Sequence, residues 1–280
     1  MTLRRMGIGA HVRPIIIAVG LASAMAACVG PPGAVPPQEV AKPAGPTGRI
    51  RGVVTLLGQP PTPQLAPNAK DTGVCQQSVS LVRLSLGKDR AVQHAFVYLD
   101  GVPSTSDVRP RAHTQIEQKG CEYGPRAVTI PTSADLEIVN SDPILHNVHA
   151  REATPDGRRT IFNIAQPIRG QRTKVEAPLT RPGIIELTCE AGHPWMTAYI
   201  LVAGHPFVAT TNGSGEFLID NVPAGTYQLR MWHEGVRLTR MIPSLQQYEY
   251  EAPYEATQTV NVPADGEAVV NFSLALRPSA

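Results

Sequence analysis

The chain has 280 residues, enough for two domains of ordinary size, each with its own core. Its 25 Lys and Arg against 23 Asp and Glu give a net formal charge of +2, and no concentrated basic stripe of the kind that neutralises phosphates is present, so nucleic acid is excluded as a partner. Aromatic residues are only 5% of the chain, which argues against a row of exposed rings for sugar binding.

In chain order the first feature is an export signal. Arg4, Arg5 and Arg13 give a positive front, the apolar run from Ile15 to Ala27 follows, and residues 25–28 read MAAC. The run is too short to span a bilayer comfortably as a helix. MAAC resembles the lipobox of bacterial lipoproteins, with Met25 in place of the usual Leu. That resemblance implies a signal peptide over residues 1–27, lipidation of Cys28, and a body that faces the periplasm from a membrane, the outer membrane by preference. The alternative is a secreted protein in which Cys28 is incidental. Removing residues 1–27 takes three of the 25 basic residues and none of the 23 acidic ones, leaving a net charge of −1. Residues 28–48 form a tether: VGPPGAVPPQEVAKPAGPTG holds six prolines in twenty positions, which at about 3.1 Å per residue spans about 60 Å.

From Arg49 onward, short β-type runs alternate with Gly, Pro, Asn and Asp turns: IRGVVTL, HAFVYLD, RAVTI, DLEIV, TIFNI, IIELT, AYILV, EFLI, TYQLRMW, QTVNV and AVVNFSL. No stretch sustains a helical period. The chain is therefore expected to be all-β and to form two sandwiches. Arg151, Arg158, Arg159, Arg169, Arg172 and Lys174 cluster in one segment, read as a solvated face, with a docking patch for an acidic partner as the lesser reading.

In an exported chain each of the four cysteines needs a chemical role. Cys28 goes to lipid. Cys75, in DTGVCQQ, and Cys121, in EQKGCEYGP, lie outside any metal-like grouping and are expected to pair as a disulfide. Cys189 is left over, and an unpaired thiol in an oxidising compartment is a liability unless a metal holds its thiolate. It opens CEAGHPWM, residues 189–196, which also carries His193 and Met196.

The run EYGPRAVTIPTSADLEIVNSDPILHNVHA, from Glu122 to Ala150, together with CEAGHPWM, resembles the cupredoxins, the plastocyanin and amicyanin family of Greek-key copper sandwiches. The matching positions are Tyr123, Pro125, Val128-Thr129-Ile130, Leu136 to Asn140 and His146-Asn147. The resemblance covers roughly residues 112 to 203 and implies one type 1-like copper ion held by His146, Cys189, His193 and Met196. Two imidazoles and a thiolate with a weak axial thioether form a soft, constrained set that suits both copper oxidation states. Asn147 is the residue expected to tie the ligand loops together by hydrogen bonds. Between Cys189 and His193 stand three residues where amicyanin-like loops carry two, which leaves the spectral type open. Ile185 occupies the position where a binuclear site would need a further Cys. Zinc is the lesser metal, since structural zinc sites use Cys and His in place of Met.

Other pieces resemble carboxypeptidase regulatory-like domains, which share a transthyretin-like sandwich. These are Gly52-Val53-Val54, Gly58-Gln59-Pro60, Ala95 to Gly101, Thr211 to Phe217 and Val222 to Tyr227. They divide the chain into a discontinuous transthyretin-like sandwich over 49–101 and 204–277, with the cupredoxin-like domain over 102–203 inserted into it or fused edge to edge. The combined reading is a copper-binding, single-electron carrier that turns over no substrate and serves a redox protein such as a cytochrome. Copper storage or sensing is the alternative, and a non-catalytic binding lipoprotein with a vestigial copper site is a third. His149-Ala150-Arg151-Glu152 has the spacing of a zinc carboxypeptidase motif, but that chemistry needs a large α/β domain and no helices are offered for one. Trp195 is open between a face near the metal and packing between the sandwiches. His205 and His233 are expected at the domain junction.

Overall fold

A computed structural model describes residues 45–104, 113–177, 179–242 and 247–278. The expected signal peptide, Cys28 and the expected tether as far as residue 44 lie outside the described residues. Those described are all-β, with one 3-10 turn at Lys88–Arg90 and no helix long and apolar enough to cross a membrane.

Two sandwiches account for the main sheets. In the outer one, Thr47–Leu57 alternates Ile50, Gly52, Val54 and Leu56 inward with Arg49, Arg51 and other residues outward, the period of a half-buried strand. It pairs antiparallel with Glu216–Pro223 and parallel with Glu267–Val269 and Phe272–Ala275. A Cβ at Gly52 would lie 1.7 Å from the Val270 carbonyl oxygen, so this close approach of two backbones requires glycine. Facing this sheet are Val208–Thr210, Phe96–Asp100, Gly225–His233 and Tyr254–Val262, in that spatial order. Ile50, Leu99, Leu229, Phe272 and their neighbours fill the core between.

The chain leaves the outer sandwich after Phe96–Asp100 and returns at Val208–Thr210, the antiparallel neighbour of that strand. The second sandwich is thus an insertion between two paired strands. Its five-stranded sheet runs Gly157–Gln166, His146–Thr154, Gly183–Thr188, Thr197–Ala203, Ala127–Pro131. The opposing sheet runs Arg172–Lys174, Asp135–Asn140, His113–Lys119, Glu122–Gly124.

Thr197–Ala203 is buried along its whole length, and the reason lies in its two faces. Ala198, Ile200 and Val202 point into the inserted core, whereas Tyr199 and Leu201 pack with Ala127, Phe96 and Trp232 in an apolar layer joining the sandwiches. That junction also buries charge. Arg83 is 7% exposed and donates to Thr197 Oγ1 at 2.6 Å and Tyr199 Oη at 3.1 Å, with its guanidinium 3.5 Å over the Tyr250 ring. Arg126 clamps Glu234 from Nε and Nη2 at 2.8 and 2.9 Å. Burial alone would lower the Arg83 pKa, but the surrounding Tyr199, Glu234, Glu186 and Tyr250 more than offset it, so the pKa is raised and the charge is secure. A cleft of 640 Å³ opens at the junction, and none of His146, Cys189, His193 or Met196 lines it.

Candidate metal centre

Asn140 builds the first half of the site by closing the turn after Asp135–Asn140. Its Oδ1 accepts from the Asp142 N–H at 2.9 Å, and its Nδ2 donates to the carbonyls of Ile144 and Gln166 at 2.9 and 2.8 Å. An Asn side chain standing in for backbone in this way is ordinary turn chemistry. The turn delivers His146 as the first residue of His146–Thr154. The second half begins where Gly183–Thr188 ends, at Cys189, and a tight loop follows in which Gly192 takes φ +94° and the Met196 N–H donates to the His193 carbonyl at 3.0 Å.

These two halves converge. Cys189 Sγ lies 3.9 Å from His146 Nδ1 and 3.7 Å from His193 Nδ1. The three residues form a group whose donor atoms all lie within 4.8 Å of one another. His146 and His193 are 0% exposed, Cys189 2% and Met196 1%, and Met196 shares the core cluster of Cys189. Distances near 3.8 Å are too long for useful hydrogen bonds. They fit a different purpose: with metal–nitrogen and metal–sulfur bonds of about 2.0 and 2.3 Å, two donors about 120° apart stand about 3.7 Å from each other. The donor chemistry, two imidazoles and one thiol with a buried thioether in the same core cluster, fits copper better than zinc.

Each imidazole turns its other nitrogen to a carboxylate. His146 Nε2 is 2.9 Å from Asp142 Oδ2, and His193 Nε2 is 2.9 Å from Asp71 Oδ2. Asp142 also accepts from the Gly120 and Cys121 N–H groups at 2.8 and 2.9 Å. Burial pushes the Asp142 carboxyl upward, but those donors and His146 outweigh it and hold it below the usual carboxylate value. A carboxylate acceptor at Nε2 fixes the ring orientation and leaves the Nδ1 lone pair toward Cys189. Burial also pushes the Cys189 thiol up, against N–H groups of Asn147, Ala191 and His193 and the charge of Lys70. It pushes His193 down, helped by His146 and Lys70 and opposed by Asp71. Both shifts favour the neutral forms of the metal-free thiol and imidazole, and binding a metal as thiolate would release a proton.

Asn147 accepts from the Glu190 N–H on its Oδ1 and donates from Nδ2 to Asn163 Oδ1 at 2.7 Å, bridging the two ligand-bearing segments. Trp195 is not between the sandwiches. It sits edge-on to His193, with ring centroids 5.4 Å apart, and its Nε1 donates to the Cys121 carbonyl at 3.1 Å. Cys75 and Cys121 are joined in a disulfide and lie in the same core cluster as Cys189. His149 and Glu152 do not converge: His149 pairs with Glu190 at 2.9 Å and Thr160 at 2.8 Å, and Glu152 with Arg159 at 2.7 Å. Of the basic cluster, Arg151, Arg158, Arg159, Arg172 and Lys174 all meet carboxylates, which leaves little free positive charge for an acidic partner. His233 is buried at the junction, where its Nδ1 meets the Glu234 carbonyl at 2.8 Å, and His205 stacks on Phe207 beside the cleft.

The two carboxylates escaped the sequence reading. Asp142 carried a local signal, four positions before His146 inside the turn SDPIL. Asp71 carried none, because its contact crosses 122 positions of chain.

No family model and no curated protein matches the chain. Among solved structures, a copper-containing nitrite reductase from Thermus scotoductus aligns with 34% of this chain and 23% of its own length, at 19% identity and a TM-score of 0.28. A purple cupredoxin from Nitrosopumilus maritimus aligns with 32% of this chain and 98% of its own, at 21% identity and a TM-score of 0.27. Amicyanin from Paracoccus versutus aligns with 38% of this chain and 97% of its own, at 18% identity and a TM-score of 0.28. The chain thus spans less than a quarter of the reductase and nearly all of the other two proteins, and the likeness takes in 32 to 38% of the chain.

Proposed function

We propose that the protein is an exported, lipid-anchored, mononuclear copper protein that carries single electrons to or from a redox partner such as a cytochrome, and that it turns over no substrate. The observation that carries this reading is the convergence of His146 Nδ1 and His193 Nδ1 on Cys189 Sγ at 3.9 and 3.7 Å, all buried, with Met196 in the same core cluster as Cys189. When bound, copper supplies a one-electron couple between Cu(I) and Cu(II). The chain's own residues hold the donors in one arrangement: Asp142 and Asp71 fix the imidazoles, and Asn147 ties the segment of one to the loop of the other. A donor set restrained from both sides resists rearrangement between oxidation states, and burial excludes water.

The test uses residues 29–280, which start after Cys28, loaded with Cu(II) and followed by visible absorption and paramagnetic resonance. An intense thiolate-to-copper charge-transfer band is expected, with its loss in Cys189→Ser. Copper binding that is indifferent to that substitution would sink the assignment. Bound copper without a reversible reduction wave would favour storage or sensing over electron transfer.

A further inference from the structure

Residues 68–77 belong by chain order to the outer sandwich, yet they lie across the metal loop of the inserted one. Their base is pinned: the Asn68 N–H donates to the Gln77 carbonyl at 2.8 Å, and Asn68 Nδ2 donates to the Gln76 carbonyl at 2.9 Å, between the paired strands Leu65–Pro67 and Ser78–Ser80. At the tip, Lys70 Nζ donates to the Ala191 carbonyl. The Lys70 side chain fills the space over Gly192, where a Cβ would come within 2.5 Å of Lys70 Cδ. Asp71 follows at φ 53°, its carbonyl accepting from Val74 and Cys75 at 2.8 Å each and its Oδ2 meeting His193 Nε2 at 2.9 Å.

The disulfide completes the arrangement. Cys75 and Cys121 sulfurs and a His193 ring nitrogen all lie within 4.8 Å of one another. Cys75 is tied by its N–H to Asp71, and Cys121 is tied by its N–H to Asp142 at 2.9 Å. One covalent link therefore joins the turn that carries Asp71 to the backbone that holds the Asp142 carboxylate.

We propose that Asp71 is a positioning residue for His193, and that residues 68–77 form a strap, latched by Cys75–Cys121, that closes the metal site to solvent solutes. This rests on the copper reading for one of its two readouts and is independent of it for the other. The Asp71 carboxylate makes the His193 imidazole a richer donor and adds a negative charge near the metal, and both effects favour Cu(II) over Cu(I). Asp71→Asn keeps the shape and an acceptor oxygen but removes the charge. The ratio of Cu(II) to Cu(I) affinity should fall by about tenfold, which raises the one-electron reduction potential by about 59 mV. A purely structural role would leave the potential alone.

The closure is read on metal-free protein, beginning after Cys28, by the rate at which iodoacetamide alkylates Cys189, followed by mass spectrometry. Asp71→Ala and the pair Cys75→Ser with Cys121→Ser should each speed that reaction at least tenfold, as expected when a contact holding a cover is lost. If the double variant fails to fold, Asp71→Ala carries the comparison. An unchanged potential in Asp71→Asn, or an unchanged alkylation rate in Asp71→Ala, overturns the proposal. Should the wild type take up no copper, the copper reading falls, and the alkylation rates alone decide whether the strap closes this pocket.

Discussion

Met196 and Cys189 are both sulfur residues in the same core cluster, at 1% and 2% exposure, yet they are unequal in what they contribute. Were copper held as proposed, the thiolate would be a strong donor and the thioether a weak one that tunes potential. Met196→Leu keeps nearly the same volume in a buried position, so its cost in folding stability should stay below about 1.5 kcal/mol. The loss of a donor to Cu(II) should raise the reduction potential, with copper retained. Denaturant unfolding of the metal-free variant and potentiometry of the loaded one separate the two effects, and an unchanged potential would remove Met196 from the ligand set. At this scale the candidate donors were legible because they are dense in sequence: Cys189, His193 and Met196 fall within eight residues, and His146-Asn147 follows a recognisable strand and turn. Asp71 and Lys70 were not, since nothing local marks a residue whose partner is 121 or 122 positions away.

At the scale of elements, the junction between the sandwiches is where apolar packing and charge meet. AYILV reads from sequence as a short β-type run, and Thr197–Ala203 is that strand, buried on both faces. The identity of its second face was not legible, because Tyr199 and Leu201 look the same whether they meet a sheet of their own domain or of another. Arg83, in SLVRLSLG, gave no sign of burial for the same reason; its partners Thr197 and Tyr199 are supplied by the other sandwich. His94, His205 and His233 lie in or near this region, and burial is the leading cause that pushes each below its ordinary 6.5, with Arg126 lowering His94 and His233 further. The sign follows from linkage. The unfolded chain takes up protons on these rings near pH 6.5, whereas the folded chain does so only at lower pH, so stability present above 6.5 is lost as pH falls below it. The urea midpoint of the metal-free protein should fall between about pH 7.5 and about pH 5.5. In His233→Asn, which retains a donor for the Glu234 carbonyl, the fall should be shallower. A slope equal to that of the wild type would show that His233 is not one of the groups responsible.

For the whole molecule, the order of the two resemblances gave two sandwiches but left insertion and edge-to-edge fusion both open, and only the pairing of Phe96–Asp100 with Val208–Thr210 distinguishes them. The strap could not be read from sequence, because it belongs to one body by sequence and to the other by contact. Thr47–Leu57, the first strand of the outer sandwich, has all its main-sheet partners at or beyond Glu216, whereas the strands of the inserted sandwich pair among themselves between His113 and Ala203. Contacts of large sequence separation form late, since loop closure must precede any gain from them. In pulsed hydrogen exchange during refolding, amides of Gly183–Thr188 and Thr197–Ala203 should become protected before those of Thr47–Leu57. Simultaneous protection would mean that the two sandwiches fold as one cooperative unit.

The interrupted pairing of Thr47–Leu57 also bears on how the chain is made. A polypeptide emerging amino end first exposes that strand about 160 residues before its first main-sheet partner, Glu216–Pro223, exists. For that interval the bridge of Thr55 to Ala91 is its one early pairing among the described residues, the rest is an apolar open edge, and the alternating arginines Arg49 and Arg51 on its outward side are the charges that discourage another chain from pairing with it.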